Sequence, residues 1–223
     1  MQGALSGHAI IFDLDGTLID TAADLAASMN YVLERAGRAP VPLDRVRHLV
    51  GHGGRAMLDQ GFRENGGAAP ADLAPHLALF LEHYLAHIAD QSRPFPGAIA
   101  ALDALAAEGA AIAICTNKRE AWARALLEVL GLSHRFAAII GADTVGVPKP
   151  DPRPVRAALA GTGREKGVFV GDSDTDIRAA RAAGMPCVAA LFGYGPLDLS
   201  AEAFAVFSAY EAAPDLIRRA ARL

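Results

Sequence analysis

Cysteine is nearly absent: 223 residues hold two, Cys115 and Cys187. Both lie inside apolar runs and read as small buried hydrophobes, which excludes a disulfide framework. No basic tract or block of like charge occurs, the formal net charge is −4 and the pI is near 6.0. Nucleic acid is therefore not an expected partner. The longest apolar stretches fall far short of the ~20 residues that a membrane span requires. The first twenty residues carry three aspartates and, apart from His8, no basic side chain, which an ordinary signal peptide would have. These absences predict a cytoplasmic globular protein in a reducing compartment. Monomer and homodimer both remain open.

What is present is apolar material for a sizeable core, 52% of the residues. It comes in short runs: AIIFDL (9–14), AAIAIC (110–115), FAAIIGA (136–142), KGVFVGD (166–172) and MPCVAAL (185–191). Between most of them lie stretches of helical periodicity, such as 98–109 and 119–131, each closing on a glycine. This alternation predicts an α/β fold, a Rossmann-like parallel sheet flanked by helices. Continuous rather than alternating apolar runs fit strands buried on both faces.

One interval departs from the pattern. Residues 21 to about 92 hold no convincing strand and read as helices over 21–37, 43–51 and 72–90, punctuated around Pro40 and by ENGGAAP (64–70). The expected organisation is a core of residues 1–18 and 92–223, with 19–91 as a small inserted all-helical cap.

Ligands of doubly wound sheets bind beyond the carboxyl ends of the strands, and polar residues gather there. The first run ends in Asp13-Leu14-Asp15-Gly16-Thr17 and the second in Thr116-Asn117-Lys118. After the third comes Lys149-Pro150-Asp151, and the fourth ends in Asp172-Ser173-Asp174-Thr175-Asp176. Buried carboxylates are costly unless they are paired or hold a metal. Crowded carboxylate oxygens make a hard-cation site, and Mg²⁺ characteristically uses one or two carboxylates plus water and phosphate oxygens. Asp13 and Asp172 are the candidate side-chain ligands. Gly16 permits the sharp turn that lets Asp13 and Asp15 work at one place. For Asp172 and Asp176 the plainer alternative is a helix N-cap and a first-turn acid.

The ordered set DLDGT, Thr116, KPDP (149–152) and GDSxxD (171–176) resembles the haloacid dehalogenase superfamily of phosphohydrolases, over essentially the whole chain. The resemblance implies roles. Asp13 matches the nucleophile that becomes an aspartyl phosphate. Asp15 matches the general acid and base, which requires it to carry a proton near neutral pH. Mg²⁺ would rest on Asp13, the Asp15 carbonyl and Asp172. Thr116 and Lys149 would contact the phosphoryl group, with backbone N–H groups around Gly16 and at Asn117 completing an anion cradle. Two carboxylates and a phosphate dianion carry about four negative charges, of which Mg²⁺ cancels two, so Lys149 answers a physical need. Asp176 would orient Lys149. Asp174 reads as a solvated loop residue.

FDLDGTLIDT, the helical interval and LFGYG (191–195) together look like bacterial phosphoglycolate phosphatases, which implies a small phosphorylated metabolite, 2-phosphoglycolate, as substrate. Arg55, His52 or Lys118 would then meet its second anionic group, with VGHGGRAM (50–57) letting backbone approach it. The alternatives are another small-molecule phosphatase acting on a sugar phosphate or pyrophosphate, a β-phosphoglucomutase-like phosphomutase, or a non-catalytic binding protein on the same scaffold. A dehalogenase would lack an acid at Asp15. His83 and His87 have metal-compatible spacing but no third ligand nearby, and Phe80 and Trp122 read as core.

Overall fold

The structure, a computed structural model, describes residues 3–65, 67 and 69–223; the His52 side chain, and Gly66 and Ala68 of the ENGGAAP cluster, lie outside the described residues. The first apolar run forms β1 (His8–Phe12), in which Ile10, Ile11 and Phe12 are fully buried. Successive side chains leave a strand on opposite faces, so Ile10 and Phe12 join one core cluster while Ala9 and Ile11 join another. Burying each Ile or Phe contributes about 1.5–3 kcal/mol, and a charge at Ile11 would break the second cluster.

A two-residue strand, β2 (Ile19–Asp20), leads into helices α1 (Ala22–Arg35), α2 (Leu43–Val46), α3 (Gly54–Glu64) and α4 (Ala74–Ala86). The chain returns through β3 (Arg93–Pro94), which pairs antiparallel with β2, Asp20 opposite Arg93. Alternation then resumes with α5 (Ala98–Ala107), β4 (Ala111–Cys115), α6 (Glu120–Val129) and β5 (Ala138–Ile140). It continues through α7 (Pro152–Gly161), β6 (Lys166–Gly171), α8 (Asp174–Ala183), β7 (Cys187–Ala190), β8 (Ala205–Phe207) and α9 (Ala213–Ala220). Among the described residues, six strands form one parallel sheet in the order β5-β4-β1-β6-β7-β8.

Leu102 and Leu105 of α5 and Ile217 of α9 cover the Ile10 and Phe12 face; Val155 of α7 and Ile177 of α8 cover the other. Met29, Phe62, Phe80 and Tyr84, from the helices between β2 and β3, belong to the Ile10 and Phe12 cluster, so that apolar core runs without a break into the helical interval. Cys115 and Cys187 are free and buried within strands.

The helical interval differs in detail from the sequence expectation. The segment read as one helix over 43–51 splits into α2 and a 3₁₀ stretch over Arg47–His52. Helix α3 then starts inside the glycine stretch and buries Met57, Leu58, Gly61 and Phe62. The stretch 50–57 is therefore not one loop but the junction of two helical elements, and its Gly51, Gly53 and Gly54 line a cavity at the sheet's rim. No helix among the described residues is long and apolar enough to cross a membrane.

Candidate active site

The ladder between β1 and β6 runs one residue past β1, where the Asp13 N–H donates to Val170 O at 2.8 Å. The chain then turns sharply, with the N–H groups of Leu18 and Ile19 both on Leu14 O at 3.0 Å. Gly16 sits in this turn at φ +82°, a left-handed conformation that disfavours any side chain. A Cβ there would lie 2.6 Å from Asp172 Oδ2, so the end of β6 approaches too closely for one.

Oxygens of Asp13, Asp172 and Asp176 lie within 4.8 Å of one another. Lys149 Nζ stands 2.9 Å from Asp13 Oδ1 and 2.7 Å from Asp176 Oδ1, and donates to Cys115 O at 2.8 Å. Lys149 is 3% exposed. Burial alone would neutralise it, but Asp13 and Asp176 more than offset that and keep it an ammonium. Its backbone is clasped by Asn117, whose amide accepts the Lys149 N–H at 2.8 Å and donates to Lys149 O at 3.1 Å. Asp172 accepts from Thr17 Oγ1 at 2.7 Å and from the Tyr194 N–H at 2.8 Å. The other oxygen of Asp176 accepts from Ser173 Oγ at 2.7 Å and from the Ser173 N–H at 3.1 Å, closing a capping box at the start of α8. Asp176 thus meets Lys149 through one oxygen and the opening turn of α8 through the other.

The donor set fits a hard divalent cation. Asp13 Oδ1 is buried without a hydrogen-bond partner, because its approach to Lys149 lacks hydrogen-bond geometry. Burial pushes Asp13 up to about 7, opposed by Lys149 and reinforced by Asp176 and Asp172. Burial and then Asp176 push Asp172 up to about 6. A cluster of oxygens that resists its own ionisation is one that a cation would stabilise.

Beside this cluster opens a cavity of about 120 Å³, lined in part by Asp13, Asp15, Thr116, Lys118, Phe80 and Tyr84. Thr116 is 2% exposed and its hydroxyl accepts the Lys118 N–H at 3.2 Å. Asp15 accepts from Thr21 Oγ1 at 2.7 Å and from Lys118 Nζ at 3.0 and 2.9 Å on its two oxygens. Asp15 lifts Lys118 well above the ordinary lysine range, against burial.

Several expected placements differ. Arg55 is exposed on α3 and lines a separate open groove with Asp59 and Arg63, so the structure does not bring it to the cavity. The face α3 buries is set by Met57, Leu58 and Phe62, and Arg55 lies off that face. Asp174 is buried at 9% exposure, not solvated, and accepts the Leu199 N–H at 2.8 Å. Trp122 is half-buried and lines the cavity instead of filling the core, and Phe80, though buried, lines it too. His83 meets Ser28 Oγ at 3.0 Å and His87 meets Asp90 at 2.8 Å. The residues that sequence reasoning missed are Thr21, Tyr84 and Tyr194. LFGYG flagged the neighbourhood of Tyr194, but nothing in the helical pattern distinguished Tyr84.

The haloacid dehalogenase-like hydrolase model matches residues 10–190. A phosphoglycolate phosphatase of Caulobacter vibrioides is 46% identical over 193 residues, 85% of this chain and 81% of that protein. One of Agrobacterium fabrum is 47% identical over 187 residues, 82% of this chain and 80% of its own. The crystal structure of a predicted phosphoglycolate phosphatase from Haemophilus somnus matches with a TM-score of 0.84 at 27% identity, over 93% of this chain and 96% of that one. With a family model spanning β1 to β7 and relatives this similar over most of their length, the chain belongs to the haloacid dehalogenase-like hydrolases.

Proposed function

We propose that this chain is a Mg²⁺-dependent phosphomonoester hydrolase that works through an aspartyl phosphate on Asp13, with 2-phosphoglycolate as its substrate. The observation that carries the reading is the convergence of Asp13, Asp172 and Asp176 on Lys149, beside a cavity that also holds Asp15 and Thr116. The substrate is supported by the names of the relatives and by the size of the cavity. About 120 Å³ is well below the ~300–1,000 Å³ of drug-sized sites.

Asp13, Asp172 and the Asp15 carbonyl would hold Mg²⁺, which would supply charge neutralisation for carboxylates and phosphate. An Asp13 oxygen forms a bond to phosphorus as the ester P–O bond breaks, and Asp15 gives a proton to the departing alkoxide. Water then attacks phosphorus, Asp15 takes its proton, and the Asp13–phosphorus bond breaks to release phosphate. Lys149 holds Asp13 in place and balances phosphoryl charge, while Thr116 and the backbone around Gly16 and Asn117 bind phosphoryl oxygens. Positioning and charge neutralisation dominate such a reaction.

The test is phosphate release from 2-phosphoglycolate, a hexose phosphate and pyrophosphate, with Mg²⁺ and with EDTA, for wild type and Asp13→Asn. Release should be fastest from 2-phosphoglycolate, vanish in EDTA and fall below ~1% in Asp13→Asn, since losing a covalent nucleophile costs several decades. A higher kcat/KM on the hexose phosphate would overturn the substrate. Dependence on a bisphosphate primer without net release would indicate a mutase.

A further inference from the structure

Three polar groups of the cavity are left over by the chemistry at phosphorus, and one of them, Arg119, is exposed and already paired with Asp143 at 3.1 Å. The hydroxyl of Tyr84, on α4, is buried without a hydrogen-bond partner, in a residue 1% exposed. A lone buried hydroxyl is a cost that a satisfied structure avoids. Lys118 presents an ammonium with three N–H donors, and two are taken by Asp15. Its Nζ lies 5.0 Å from the Tyr84 ring centroid. The remaining lining is largely apolar or glycine, including Leu25, Val50, Phe80 and Leu81. The ammonium and the phenol interact with each other but without hydrogen-bond alignment, and such a pair in an apolar recess suits one kind of partner, a compact anion that both can donate to.

We infer that Tyr84 and Lys118 together form the recognition site for the carboxylate of the substrate, a reading that rests on the phosphoglycolate proposal above. The chemical spacing supports the pair. In 2-phosphoglycolate a single methylene separates the leaving oxygen from the carboxylate. A cation that grips the carboxylate can then stand directly beside the acid serving the leaving oxygen. Lys118 does so, 2.9 Å from Asp15, and among the described residues it is the one cation paired with Asp15. Burial raises the Tyr84 phenol above its ordinary range, so it enters as a neutral donor. Tyr84 comes from the helical interval and Lys118 from the end of β4, so the carboxylate would be held between the two parts of the chain.

The experiment compares kcat/KM for 2-phosphoglycolate with that for ethyl phosphate, in which a methyl replaces the carboxylate, in wild type, Tyr84→Phe and Lys118→Met. Hydrogen bonds to a charged group are worth roughly 10- to 100-fold in discrimination. The preference for 2-phosphoglycolate should therefore fall about 10-fold in Tyr84→Phe and about 100-fold in Lys118→Met. Tyr84→Phe removes a hydroxyl that has no well-aligned partner in the free enzyme, so its Tm should stay level or rise; a fall would give the hydroxyl a structural partner and overturn the assignment. A preference that persists in both variants would overturn this site while leaving the phosphoglycolate reading standing. A wild type that releases phosphate without preferring the carboxylate-bearing ester would overturn both.

Discussion

The backbone N–H of Tyr194 donates to Asp172 at 2.8 Å, while its side chain reaches the start of the helical interval. There its oxygen accepts the N–H groups of Thr21 at 2.8 Å and Ala22 at 3.2 Å and donates to Asp20, which Arg47 pairs at 2.7 Å. One residue thus fastens a metal-ligand candidate to the first turn of α1.

Tyr194→Phe should leave the buried Thr21 N–H without an acceptor and the Ala22 N–H with only its 3.3 Å bond to Asp20. The expected cost is about 1–3 kcal/mol of stability, read from urea denaturation. Loss of register between α1 and Asp172 should lower kcat more than it raises KM. No stability change would mean that water or another acceptor replaces the hydroxyl.

The acid cluster predicts an inverted pH dependence. Asp13 and Asp172 are raised to about 7 and about 6 in the fold, above the ~3.9 of an unfolded aspartate. The native state therefore binds more protons than the unfolded chain between about pH 4 and pH 7, and stability falls as pH rises through that window. In EDTA, thermal unfolding should show a higher Tm near pH 5 than near pH 8. Mg²⁺ should narrow the gap, and Asp13→Asn should flatten it. An equal slope in wild type and Asp13→Asn would remove Asp13 as its source.

Lys149→Met leaves Asp13 and Asp176 facing each other without a cation. Breaking a buried pair in this way costs about 3–5 kcal/mol. Adding Asp13→Asn relieves one of the stranded charges, so the double variant should be more stable than Lys149→Met alone. Denaturant titrations of the four proteins give the coupling directly.

Gly193 presses against Asp172. A Cβ at this position would stand 2.1 Å from the Asp172 Cβ and 2.2 Å from its Oδ2. Gly193→Ala must therefore displace the carboxylate. The Mg²⁺ concentration for half-maximal turnover should rise about 10- to 100-fold, as when a ligand's support is lost. An unaltered Mg²⁺ titration would argue against Asp172 as a ligand.

What could be read in the sequence follows a physical division. Asp13, Thr116, Lys149 and Asp172 follow apolar runs or lie in the loops after them, and a parallel sheet carries run ends to one rim, so local pattern was enough to bring them together. Arg55, Tyr84 and Trp122 sit on helices, where what matters is which face looks inward. That depends on how α1, α3, α4 and α6 pack, and long-range contacts such as Phe80 with the sheet cluster decide it. The two-residue pairing of β2 with β3 and the three-residue β8 are too short to leave a periodic signature.

Asp176 spends one oxygen on Lys149 and the other on the opening turn of α8. Losing a residue committed in this way lowers expression and turnover together, so a bulk activity screen cannot tell the two losses apart. In a library scored by cellular abundance, Asp176 would rank with the apolar interior, whereas Asp13, whose charge strains the resting fold, would pass unnoticed.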